Sequence, residues 1–78
     1  MTESMRARVE KAVQESNGSL TVEFANATIA QKEREIAFEN SLPAWKQGYA
    51  SKNAVATAQA AIAYFEAVIE YLTEQAAA

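Results

Sequence analysis

Residues 53–75 read NAVATAQAAIAYFEAVIEYLTEQ and carry the clearest helical pattern in the chain. Their larger apolar side chains, from Val55 through Ile62 to Leu72, recur at spacings of three and four residues, which is the period of one face of an α-helix. A helix of this length extends about 34 Å, whereas a compact chain of 78 residues has a radius of gyration of about 11–12 Å. We therefore expect the rest of the chain to pack along this helix.

A second apolar surface, the Ala/Tyr surface, is predicted on the opposite side of the same helix. It consists of Ala60, Ala63, Tyr64, Ala67 and Tyr71. A helix that is apolar nearly all round is normally buried nearly all round. Because two shorter helices can hardly cover both sides, we expect this surface to contact a partner. The alternative is an exposed patch of a size that ordinary monomers tolerate.

Chain length and composition limit the ways in which the fold can be stabilised. Residues 1–78 are expected to form a single helical interaction domain, near the size at which one hydrophobic core gives only marginal stability. There are no cysteines and no histidines, so disulfides and thiolate or imidazole metal sites are excluded. Association with another chain remains as a common source of stability, and we expect a protein partner, most simply a homo-oligomer.

Charge and hydropathy bear on location and on other classes of partner. The N-terminal residues are polar and show no signal-peptide pattern, and no run approaches the ~18 apolar residues of a membrane span. The net charge of −3 argues against binding to nucleic acid or to an anionic membrane. We expect a cytoplasmic protein with no membrane contact.

Local signals predict a first helix at residues 3–16. Thr2 is a suitable N-cap, and Glu3 lies in the first turn. Asn17 and Gly18 form a pair that commonly ends a helix.

The segment at residues 19–25 fits two structures. Apolar and polar residues alternate from Ser19 to Phe24, which favours a short strand that turns into a hairpin or pairs with another chain. Val22, Ala25 and Ile29 also keep a helical spacing. We predict the extended form and keep the helix as the alternative.

A second helix is predicted at residues 28–40. Thr28 is its expected N-cap, and the helix must end before Pro43 because the residue that precedes a proline avoids the α region. Residues 43–49 then connect it to the long helix, whose expected cap is Ser51 or Asn53.

The connector holds the only tryptophan. Trp45 and Tyr49 are four residues apart and are expected to pack together, with Trp45 closing one end of the core. An alternative role for Trp45, beside Lys46 and Lys52, is stacking on single-stranded nucleic acid. Two lysines in an acidic chain are too few to support phosphate binding, so nucleic acid is not the expected partner.

The acidic strip of the long helix, Glu66, Glu70 and Glu74, has the spacing of carboxylates in metal-binding helical bundles. Those sites also need histidines, which this chain lacks, so we expect no metal or other cofactor. The serine–histidine and cysteine–histidine nucleophile arrangements are absent as well. We therefore expect neither an enzyme nor a small-molecule substrate. A strip of carboxylates could still contact a basic surface on a partner.

The overall prediction is a mostly α, three-helix domain built on a long C-terminal helix, with a short β element near residues 19–25. The first function hypothesis is a non-enzymatic, self-associating structural or adaptor protein whose interface is the Ala/Tyr surface, with Trp45 as a further candidate. The alternative is a stoichiometric inhibitor or regulator of a larger protein machine, of the type that phages and mobile elements encode, which binds through the acidic strip. Sensitivity of binding to salt separates the two.

Overall fold

A computed structural model describes all of residues 1–78 as three α-helices with no strand. Helix α1 spans Glu3–Glu15, α2 spans Val22–Asn40, and α3 spans Tyr49–Ala77. A short 3-10 helix at Ala44–Lys46 lies between α2 and α3. The prediction of a mostly α domain with a long C-terminal helix is confirmed.

Helix α1 has the boundaries that its local signals predict. The Oγ1 atom of Thr2 accepts a hydrogen bond from the backbone N–H of Met5 at 3.1 Å, which satisfies one of the free donors at the helix start. After the helix, Asn17 and Gly18 take positive φ angles of 53° and 89°. This left-handed backbone cannot continue an α-helix and turns the chain toward α2.

The strand predicted at Ser19–Phe24 is wrong, and so is the cap predicted at Thr28. Helix α2 begins at Val22, because Thr21 Oγ1 accepts a hydrogen bond from the N–H of Phe24 at 3.1 Å. Thr28 lies inside the helix and donates its hydroxyl to the carbonyl of Phe24 at 2.9 Å. A lone strand would leave its backbone groups without partners, whereas a helix satisfies them within the segment.

The long helix α3 is longer than predicted. It begins at Tyr49, with Gly48 rather than Ser51 or Asn53 at the N-cap position. Its 29 residues span about 44 Å. Ser51 is buried inside the first turns of α3, and its hydroxyl donates to Glu39 Oε2 of α2 at 2.7 Å. The serine therefore joins two helices instead of capping one.

Helices α2 and α3 form an antiparallel hairpin, with Glu39 beside Ser51 near the connector and the Phe24 ring beside Phe65 farther along. Helix α1 packs against the C-terminal half of α3, where Val9 contributes its only fully buried side chain. With 13 residues, α1 is about 20 Å long and covers less than half of α3.

The resulting molecule is elongated. It measures 50 × 23 × 19 Å and has a radius of gyration of 14.8 Å, compared with about 11.5 Å for a compact chain of this length. Only seven residues are buried, so the core that holds the three helices together is small. None of the helices has both the length and the apolar character that crossing a bilayer requires.

Candidate functional site

The Ala/Tyr surface is partly covered by the chain itself, which corrects the expectation that Ala67 and Tyr71 are free. Tyr71 is 7% exposed, and Ala67 is buried beside it in the core that contains Val9. Tyr64 is half-buried, and only Ala60 and Ala63 remain exposed. Helix α1 occupies the place in which we expected a partner.

Two arginines of α1 lie over the tyrosine rings. The guanidinium carbon of Arg6 is 6.0 Å from the ring centroid of Tyr71, and that of Arg8 is 5.3 Å from the ring centroid of Tyr64. Guanidinium groups are attracted to the face of an aromatic ring. Together with the apolar packing of Met5, Val9 and Val13 of α1, these contacts cover tyrosines that the sequence pattern predicted to contact a partner.

One of the three carboxylates of the acidic strip, that of Glu74, forms an ion pair with α1. Arg6 Nη2 lies 2.6 Å from Glu74 Oε2, and the hydrogen bond and charge of Glu74 raise the pKa of the Arg6 guanidinium further above its ordinary value. Glu66 and Glu70 are exposed and form no salt bridge. No cluster of three acidic side chains is placed to hold a metal ion. The strip therefore presents two free carboxylates rather than three.

The sequence pattern predicted that Trp45 closes one end of the core, and this prediction is wrong. It is 80% exposed, and Tyr49 is exposed as well. The two rings would meet at this spacing only on a continuous α-helix, and the 3-10 helix ends at Lys46. Lys46 Nζ instead lies 4.9 Å from the centroid of the Trp45 ring. The amide group of Gln47 donates to the carbonyl of Leu42 at 2.6 Å and holds the connector in this form.

The surface that sequence reasoning missed lies on the hairpin of α2 and α3. An open groove runs between α2 and the N-terminal half of α3. Its lining residues are Gln31, Arg34, Glu35, Phe38, Glu39 and Ala54. Ala61 lies two helical turns from Ala54, on the same side of α3. We call the surface formed by Phe24, Gln31 and Phe38 of α2 and Ala54 and Ala61 of α3 the open face.

The open face exposes two large aromatic side chains. Phe38 is 63% exposed and Phe24 is 52% exposed. The inner edge of Phe24 packs against Phe65, with ring centroids 6.0 Å apart, and Phe65 packs in turn against Tyr64 at 5.2 Å. Phe24 is therefore fixed in position by its neighbours while about half of its surface remains in water.

The rim of the open face carries charges of both signs. Arg34 and Glu35 flank the groove, and Glu35 Oε2 lies 3.3 Å from Lys32 Nζ. An apolar centre with a mixed polar rim is the usual composition of a protein–protein interface.

Comparison of the chain with protein-family models, with curated proteins and with solved structures found no match. A function for this protein therefore has to be argued from its own surfaces.

Proposed function

We propose that this protein is a non-enzymatic interaction module that associates with a second copy of itself through the open face. The supporting observation is its surface area. The accessible surface is 5430 Å² for a mass of 8.5 kDa, whereas a compact monomer of that mass exposes about 4,650 Å². The excess of about 800 Å² equals the area that one partner typically buries in a stable interface.

The residues of the open face have the properties that association requires. Aromatic side chains are enriched at interface centres, and Phe24 and Phe38 each keep more than half of their surface exposed. Ala54 and Ala61 are small, so the backbone of a second helix can approach α3 closely in the groove. Burial of these groups would add to a core that contains only six buried hydrophobic residues. A cytoplasmic location is part of the proposal.

The test compares two glutamate substitutions at neighbouring exposed positions of α2. Phe38→Glu places a charge at the centre of the open face, and Ala37→Glu places the same charge about a quarter turn away, outside it. We expect light scattering at micromolar concentration to give twice the 8.5 kDa chain mass for the wild type and for Ala37→Glu. Phe38→Glu should give the mass of one chain, with an unchanged helical circular dichroism spectrum. A Phe38→Glu protein with the wild-type mass would contradict the proposal.

A second candidate function is regulation of a larger protein through the acidic strip. The observation that favours it is that Glu66 and Glu70 form no salt bridge. They lie beside Met1 and Met5 in a shallow groove between α1 and α3. Binding through these carboxylates should weaken steeply with added salt and with Glu66→Gln or Glu70→Gln. Association that is insensitive to salt and abolished by Phe38→Glu supports the open face instead.

A further inference from the structure

The exposed stripe on α2 is symmetric about one residue. Phe24, Gln31 and Phe38 are separated by seven residues each, so they lie nearly in line along the helix, with about 10 Å between neighbours. An interface between two identical copies related by a two-fold axis uses the same surface on both copies. We infer that two copies pair through antiparallel α2 helices, with Gln31 on the two-fold axis. This inference rests on the proposed self-association and specifies which residues meet.

The antiparallel direction brings complementary residues together. With Gln31 at the axis, Phe24 of each copy meets Phe38 of the second copy, so both half-exposed rings are buried on an apolar neighbour. The same register places Ala27 opposite Glu35 of the second copy. Gln31 at the centre has an amide that can both donate and accept a hydrogen bond, so two glutamines that meet at the axis can satisfy each other.

The position of α1 also favours the antiparallel direction. Helix α1 contacts α3 between Ala63 and Glu74, with Met5 and Arg6 among its contacting residues. It does not reach the N-terminal half of α3, which packs only against α2 and is called the uncovered half below. A parallel pair would place both α1 helices at the same end and leave both uncovered halves together at the other. An antiparallel pair places α1 of each copy level with the uncovered half of the second copy.

Charge favours the same direction. No lysine or arginine follows Lys52 in the chain, so the C-terminal part of α3 carries only glutamates. The connector end of the hairpin carries Lys46 and Lys52. Antiparallel pairing brings the acidic end of each copy near the basic end of the other, and a parallel pair would bring the two acidic ends together.

Single cysteines provide a direct test, because the chain has no native cysteine. In full-length protein under mild oxidation, Gln31→Cys should form a disulfide-linked dimer, since residues on the axis come within bonding distance. Glu33→Cys, an exposed position nearly opposite on α2, is the matched control. We expect Gln31→Cys to cross-link about tenfold faster or more, because two thiols held at the axis have a millimolar effective concentration.

A mixture of Ala27→Cys and Glu35→Cys proteins determines the direction of pairing. The antiparallel register predicts a disulfide between the two different variants, which mass spectrometry distinguishes from either self-linked dimer. Self-linked dimers of each variant would show a parallel pair and overturn the inference. A wild-type dimer in which Gln31→Cys cross-links no faster than Glu33→Cys would overturn this register but leave the proposed self-association standing. A wild-type monomer would overturn both.

Discussion

Ser51 and Glu39 connect the two helices of the hairpin through a single hydrogen bond between side chains. Ser51 is the one buried polar residue, and its hydroxyl lies 2.7 Å from Glu39 Oε2. The sequence suggested a helix cap at Ser51 because serine is common at such positions. Nothing local indicated that a carboxylate twelve residues earlier would lie beside it, since that contact exists only after the hairpin has formed.

Replacement of Ser51 by alanine is expected to lower the free energy of unfolding by about 1 kcal/mol, because the half-buried Glu39 carboxylate loses its hydrogen-bond donor. Urea denaturation followed by circular dichroism measures the change. Ser4→Ala, at an exposed position of α1, is the control and should stay within about 0.5 kcal/mol of the wild type. An equal effect of both substitutions would show that the Ser51 hydrogen bond does not stabilise the hairpin.

Phe38 shows what the sequence could have indicated about the open face. It lies off the stripe formed by Ile29 and Ile36 that packs on α3, and it follows Phe24 by two heptads. That spacing predicts a second stripe on α2. Whether such a stripe is covered depends on how the three helices pack, which local sequence does not give.

At the scale of the helices, boundaries set by local chemistry were predictable and those set by packing were not. The cap at Thr2, the left-handed turn at Asn17 and Gly18, and the helix end before Pro43 all follow from neighbouring residues. The start of α2 was not predicted correctly, because the apolar and polar residues after Ser19 have a spacing that fits both a strand and a helix. The choice between them depends on backbone hydrogen bonding along the whole segment.

The N-cap of α2 can be tested by two matched threonine substitutions. Thr21→Ala removes the acceptor of the Phe24 N–H and is expected to lower the free energy of unfolding by about 1 kcal/mol. Thr28→Ala removes only a hydroxyl that bonds back to a carbonyl already used by the helix, and its effect should be smaller. A larger loss of unfolding free energy for Thr28→Ala than for Thr21→Ala would instead support a helix that begins at Thr28.

Helix α1 is expected to be the least stably attached element. Val9 is its only fully buried residue, whereas α3 contributes Ser51, Ala58 and three residues near its C-terminal end. Hydrogen exchange followed by mass spectrometry should show faster exchange for α1 amides than for the centre of α3. Val9→Ala, which removes about 2 kcal/mol of packing, should accelerate exchange in α1 and leave the N-terminal half of α3 unchanged.

The control for this experiment is Lys11→Ala, an exposed change on the same helix, which should leave the exchange pattern as it is in the wild type. Equal exchange rates for α1 and the hairpin in the wild type would mean that the three helices unfold as one unit. Tyr71 would then be protected by more than the contact with α1.

At the scale of the whole molecule, the sequence predicted an uncovered apolar surface on the long helix, and the structure corrects that prediction at Tyr71 and Ala67. The expected partner surface contained Tyr71, which α1 covers. On the hairpin, Phe24 and Phe38 of α2 remain exposed. Helix α1 packs against α3 between Ala63 and Glu74 and leaves the side of α2 that carries both phenylalanines in solvent.

The affinity between two copies would depend mainly on the contacts at the centre of the open face. Interfaces that bury about 800 Å² per partner range in affinity from micromolar to picomolar, depending on the central contacts rather than on area. The two phenylalanines are the groups at which that energy would be concentrated. Affinity should therefore respond strongly to Phe24 and Phe38 and weakly to the charged rim at Arg34 and Glu35.

The mass of the wild-type protein in solution tests self-association most directly. Sedimentation equilibrium of the full chain at micromolar concentration is expected to give twice the chain mass of 8.5 kDa, and the dimer should persist when salt is added, because the centre of the interface is apolar. A single species of one chain mass that persists to high protein concentration would contradict the account.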